Sequence, residues 1–339
     1  MIRSAWPPDS AELTVLSWGG QWDRALRSAV SDPFEAQTGF RVRHDWHIGL
    51  DLPDRLLAPL RAGSRPPVSV VWSNGVAAMR AAREDLCDPL SIEDVPHLAA
   101  LHPRARPHGF AGWPVVMAYA VLYVLVYRRA AFADRPPESW QVLLDPRHRG
   151  KVALYPHGNG IHAVAQLLGG GSVDDIPTHM AACWEFLHRL APRVRAIDYS
   201  IGMAESLRRG DLDLCFRALP NALGFRAEGV AVDWVAPREG VPDTMDALWI
   251  PRHLPQPQAV LARQYIDFAL SAPVQEQWCD MLGVLPVHLD SATPGLLRER
   301  AGTPSTLDDT AGLLYVPDSV KLDCEPEWRR RFAAVFDQA

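Results

Sequence analysis

Two groups of residues in this 339-residue chain have the types and spacing to hold a small molecule. In Leu13-Thr-Val-Leu-Ser-Trp18-Gly19-Gly20-Gln21-Trp22, an alternating apolar strand ends on an indole, and a Gly-Gly turn opens a helix at about Gln21. Backbone N–H groups and a helix N-terminus there can face a ligand, and the Trp18 face can stack on a ligand chain or a cation. Trp72, followed by Ser73, ends another strand in the same way; either indole also fits an ordinary core. The second group is Pro156-His157-Gly158-Asn159-Gly160, between a strand and a helix, where His157 and Asn159 suit an anionic group or simply form a surface turn. Arg217, at the end of the strand Leu212–Phe216, would add a planar fork for a carboxylate.

Other patterns do not support chemistry. In His44-Asp-Trp-His47 the two imidazoles, three apart on a strand, point to opposite faces and cannot chelate one ion. Gly169-Gly-Gly171 reads as a helix end and turn, with neither a P-loop lysine nor a dinucleotide fingerprint. The five cysteines are scattered and odd in number, and read as small buried apolar residues. No Ser-His-Asp or Cys-His arrangement is identifiable from spacing, so no catalytic residue, metal or cofactor is assigned.

The elements that must position these residues alternate. Strand patterns at Leu13–Ser17, Arg41–Trp46 and Val68–Trp72 are interleaved with helices near Gln21–Gln37, Asp51–Ala62 and Ala77–Glu84, which predicts an α/β lobe with a mostly parallel sheet. A second lobe begins at Leu122–Tyr127 and carries helices at Ile161–Leu168, Thr178–Leu190 and Met203–Arg209. Met245–Ile250 is expected to return the chain to the first lobe, Pro257–Leu270 to be helical there, and Leu285-Pro-Val287 to cross again.

With 48% hydrophobic residues the chain can bury a large core, more naturally as two lobes than one. Its 34 basic and 40 acidic residues leave a net charge of -6 with no basic stripe, which argues against nucleic acid. The apolar run Val115 to Tyr127 is shorter than the roughly 20 residues that span a bilayer, so no membrane insertion is expected. Met1 to Glu12 lacks a charged n-region, an apolar h-region and a lipobox cysteine. The expectation is a cytoplasmic protein as written, or a periplasmic or extracellular one if the start is truncated.

The Trp18 segment with Phe34-Glu-Ala-Gln-Thr-Gly-Phe40, Trp72-Ser-Asn74, Glu138-Ser-Trp140 through Gly150-Lys-Val152, Gly210-Asp-Leu-Asp-Leu214, Pro237-Arg-Glu-Gly240, Met245-Asp246-Ala-Leu-Trp-Ile-Pro251, Tyr265-Ile-Asp-Phe-Ala-Leu270, Gly283-Val-Leu-Pro-Val287 and Trp328-Arg-Arg-Arg-Phe332 form a collinear series over nearly the whole chain. This series resembles the family 1 extracellular solute-binding proteins of ABC importers, in particular the spermidine/putrescine-binding branch. The resemblance implies a two-lobed, type II periplasmic-binding-protein-like α/β fold with hinge crossings and a ligand cleft between the lobes. Lobe 1 would comprise 12–117 and 249–288, and lobe 2 118–248 and 289–339. It also implies that Asp246 holds a ligand amine; the alternative is an inter-lobe salt bridge with an arginine.

The chain departs from the polyamine pattern where acidic residues would meet the far amine: the loop reads Pro156-His-Gly-Asn-Gly160, Arg217-Ala-Leu219 replaces an aromatic, and Thr244 stands two before Asp246. A ligand with two separated ammonium groups would lose most of its counter-charges, whereas Asp246 with His157, Asn159 and Arg217 suits a small zwitterion. The function expected is capture of a small polar, amine-containing molecule by hinge closure, as a monomer, with an ABC permease as the further partner. The alternatives are a cytoplasmic biosynthetic enzyme on the same scaffold and a ligand-sensing module.

Overall fold

A computed structural model of the protein describes residues 12–132, 135–199 and 202–337. The stretch Met1 to Ala11, on which the reading of the export signal rests, lies outside them. The chain divides into two compact units, Met1–Ala120 with Met245–Pro294 and Val121–Thr244 with Gly295–Ala339.

The first unit opens with β1 (Glu12–Trp18), α1 (Gln21–Leu26), a π-helical turn (Arg27–Ser31), α2 (Asp32–Thr38), β2 (Arg41–His47), α3 (Asp54–Arg61), β3 (Val70–Asn74), α4 (Gly75–Arg83) and β4 (Cys87–Asp88). Two of these helices have a clear local reason to stop or start. Gly39, at φ 77°, ends α2 in the left-handed region open to glycine, and Asn74 caps α4 by accepting from the Val76 N–H at 3.1 Å. β1 pairs in parallel with β2 and β3.

β5 (Val116–Arg128) is a thirteen-residue strand whose first twelve residues are all buried, as its run of β-branched and aromatic residues dictates for a strand covered on both faces. The second unit then runs through β6 (Val152–Leu154), α5 (Ile161–Leu168), α6 (Ala181–Leu190), β7 (Val194–Ile197), α7 (Met203–Arg209), β8 (Leu214–Ala218), α8 (Leu219–Ala227) and β9 (Val232–Val235). Its strand order is β5-β8-β6-β7, antiparallel between β5 and β8 and parallel beyond. The Gly210-Asp-Leu-Asp-Leu214 motif matters here because buried Asp213 accepts from Arg128 Nη2 at 2.7 Å and pairs with His148 Nδ1 at 3.1 Å. These partners hold its carboxyl below the usual range, although burial alone would raise it.

β10 (Val241–Pro251) carries the chain back, pairing antiparallel with β3 over Asp246–Trp249. α9 (Gln256–Leu270), α10 (Ala272–Leu282) and β11 (Leu285–Pro286) complete the first unit, and α11 (Gly295–Glu299), β12 (Leu313–Leu314) and α12 (Asp318–Phe336) the second. Two expectations need correction. Asp246 belongs to the first unit, not to a second lobe ending at residue 248, because its strand pairs with β3. Leu285–Val287 is not a crossing: β11 pairs with Tyr119 and Ala120 of the first unit, and the chain changes unit only after Pro294. Among the described residues no helix is long and apolar enough to cross a membrane.

Candidate functional site

In the first unit the carboxyl ends of β1, β2 and β3 gather the chemistry. Trp18 is half-buried and donates its indole N–H to the Gly49 carbonyl at 2.9 Å. Gly19 lies under the Trp46 ring, 3.5 Å from where a Cβ would sit, and Gly20 takes φ 70° so that Gln21 can start α1. One turn on, Trp22 reaches Trp18 at 5.4 Å, Tyr119 at 5.9 Å and Trp278 at 6.2 Å between ring centroids. Trp72 is enclosed rather than exposed, 4.9 Å from Trp278, and Ser73 is wholly buried with its hydroxyl accepting from Trp249 Nε1 at 3.1 Å. The outcome is an aromatic wall: two half-buried indoles backed by Trp72, Tyr119 and Trp278.

Asp246 adjoins that wall. It is 5% exposed, faces Asn74 in the strand register, and accepts from Asn74 Nδ2 at 3.5 Å. Asn74 therefore uses its oxygen to cap α4 and its amide to address Asp246. The Tyr119 phenol stays protonated far above its usual range, chiefly through burial and secondarily through the Asp246 charge. Gly75 makes the geometry possible, since a Cβ there would lie 2.7 Å from the Met245 carbonyl oxygen. Sequence reading missed Trp22, Tyr119 and Trp278, because nothing in chain spacing brings residues 22, 119 and 278 together. Trp46, 56% exposed, carried a signal of its own beside the rejected histidine pair.

His44 and His47 face different neighbours. His47 is buried with its ring 5.9 Å from Trp18. His44 pairs through Nδ1 with Asp23 at 2.6 Å and through Nε2 with Ser31 Oγ at 2.8 Å, and Ser31 Oγ is also 3.0 Å from the Tyr265 hydroxyl. This is the Asp–His–Ser connectivity that spacing did not reveal. Ser31 has no exposed surface, so in this structure a substrate has no route to its hydroxyl. Burial pulls the His44 pKa down despite the Asp23 hydrogen bond.

In the second unit the loop after β6 is tightly seated. His157 is exposed and takes φ 62°, a left-handed conformation uncommon for a side-chain-bearing residue. A Cβ on Gly158 would lie 2.6 Å from the His162 ring, and one on Gly160 2.8 Å from the Tyr123 ring. Asn159 donates to the Tyr123 hydroxyl, and the Tyr155 hydroxyl donates to Asn221. Arg217 is the penultimate residue of β8, which extends to Ala218, and its side chain is wholly buried instead of presenting an open fork. Its guanidinium donates to the carbonyls of Phe216 at 2.8 Å and Asp198 at 3.0 Å and lies 4.5 Å from the Tyr155 ring centre. Burial lowers its pKa, and no carboxylate among the described residues forms an ion pair with it. Asn159 and Arg217 thus share one neighbourhood through Tyr123 and Tyr155, with Arg217 behind it, whereas His157 stands exposed two residues before Asn159.

A family model described as bacterial extracellular solute-binding protein matches residues 29–301. No curated protein sequence matches the chain. Among solved structures, that of a GABA receptor aligns over 96% of this chain and 97% of its own at 20% identity and a TM-score of 0.76. An ABC transporter substrate-binding protein from Bradyrhizobium japonicum aligns over 96% and 99% at 19% identity and 0.79. A spermidine/putrescine substrate-binding protein from Streptococcus pneumoniae aligns over 96% and 98% at 17% identity and 0.70.

Proposed function

Since the chain belongs to the bacterial extracellular solute-binding proteins, we propose that it captures a small amine-containing, zwitterionic organic molecule by hinge closure for delivery to an ABC permease. The observation that carries this reading is Asp246 set beside an aromatic wall. A buried carboxylate is a counter-charge for an ammonium group, and indole and phenol faces attract a cation through their quadrupoles. Asn74 orients the carboxylate, which supports an ammonium group as the part of the ligand held there.

The zwitterionic part rests on the second unit. Around Asn159, Tyr123 and Tyr155 the charge of Arg217 is met by carbonyls and a ring rather than by a carboxylate, which favours a ligand carboxylate over a second ammonium. Among the aligned structures, one is named for GABA, which is itself a zwitterion, and another for spermidine and putrescine. A thermal-shift panel separates the classes: 4-aminobutyrate and related amino acids are expected to raise the melting temperature more than spermidine or putrescine. Ligand at a hundredfold excess over its dissociation constant stabilises by about 2.7 kcal/mol. Stabilisation by polyamines alone would overturn the zwitterionic reading.

A further inference from the structure

The amino ends of β1 and β2, opposite to the aromatic wall, frame a second hollow of about 440 Å³ that belongs wholly to the first unit. Thr14 and Trp18 are four residues apart on β1, so the two places are separated by roughly 13 Å along the strand. Thr14, Ser69 and Gln258, all buried, line the hollow, and the arginines Arg43 and Arg65 stand beside them. Both guanidiniums are oriented by buried groups: Arg43 Nη2 donates to Thr14 Oγ1 at 2.9 Å, and Arg65 Nη2 donates to Gln258 Oε1 at 3.1 Å.

The charges do not cancel. Arg65 has a neutral amide as its partner and forms no ion pair among the described residues. Arg43 approaches Glu12 through Nε at 3.4 Å, with side chains 59% and 48% exposed. An exposed pair of that kind contributes little and yields readily to a competing anion. A guanidinium presents five N–H donors in a planar fork, so two of them over buried hydroxyls match an oxyanion.

We propose that this hollow is a second binding site, for a small oxyanion of the carboxylate or phosphate kind held by Arg43 and Arg65. It is independent of the solute site, and its occupant competes with Glu12 for Arg43. The test is titration of the full chain with inorganic phosphate and, separately, succinate, followed by amide NMR shifts at Thr14, Ser69 and Gln258. Saturable binding is expected for at least one of them, with a dissociation constant of about 1 mM or tighter, weakened by added salt. Arg65→Gln and Arg43→Gln should each weaken it roughly tenfold or more, whereas Glu12→Gln should tighten it. Arg65→Gln should leave solute-induced stabilisation unchanged, which also shows that the variant is folded. No saturable shift with either anion up to about 20 mM, or equal affinity in the wild type and Arg65→Gln, overturns the proposal.

Discussion

Ser31 Oγ and His44 Nε2 lie 2.8 Å apart, closing a chain of polar contacts that begins at Asp23 on α1 and ends at Tyr265 on α9. The π-helical turn Arg27–Ser31 inserts its extra residue here, and its last hydroxyl fastens the turn to β2 and α9. The connectivity is that of a nucleophile and its base, but with Ser31 enclosed it acts as a fastening. Ser31→Ala should therefore cost about 1–3 kcal/mol, because His44 and Tyr265 lose a buried partner. Denaturant unfolding measures that loss, and phenylmethylsulfonyl fluoride should leave Ser31 unlabelled by mass spectrometry.

Asp246→Asn keeps the shape of the side chain and removes its charge. On the proposed function the variant should lose roughly ten- to hundredfold in affinity for the ligand amine, corresponding to about 1.5–3 kcal/mol, with an unchanged unfolding midpoint. Calorimetric titration and denaturant unfolding of the same sample check both halves. Unchanged affinity with a lowered midpoint would assign Asp246 to structure alone.

Gly75→Ala should harm the same site from behind. The new Cβ would stand 2.7 Å from the Met245 carbonyl and 3.0 Å from the Met117 sulfur, so β10 must shift just before Asp246. Overpacking of this sort costs about 1–3 kcal/mol. Both the unfolding midpoint and the ligand affinity should fall, unlike in Asp246→Asn.

The thiols should separate by accessibility. Cys87, Cys183, Cys215 and Cys279 are buried, and burial pushes Cys183 and Cys215 up to about 12; Cys324 is part-exposed. Thiolate is the reacting form. Ellman's reagent should therefore modify one thiol readily in the native protein, identified as Cys324 by peptide mapping, and all five after denaturation.

Acid should weaken the second unit through His162. Its ring packs against Trp328 and Trp184, and burial pulls its pKa down to about 3. The unfolded imidazole, near 6.5, binds a proton between those two values while the folded one does not. The contribution of this neutral ring is full above pH 6.5 and declines with a steady slope as the pH falls towards 3. Chemical denaturation at stepped pH should show that slope, flattened in His162→Phe.

Local chemistry alone determined much of the framework. The apolar alternation of Leu13–Ser17, Gly39 after a helical run and the unbroken apolar stretch at 115–127 each specify an element through backbone preference and burial, which act over a few residues. The collinear motifs carried family membership as well. Tertiary structure decided what surrounds each candidate. Two residues of extra strand turn Arg217 from an exposed fork into a buried cation, and pairing of β10 with β3 rather than chain order brings Asn74 to Asp246. Trp22, Tyr119 and Trp278 become one wall only when a helix, a strand and a distant helix pack, and Asp23, His44 and Ser31 meet because a π turn rotates a hydroxyl inward. Contacts between residues far apart in the chain depend on packing, and the spacing of residues along the chain carries no record of them.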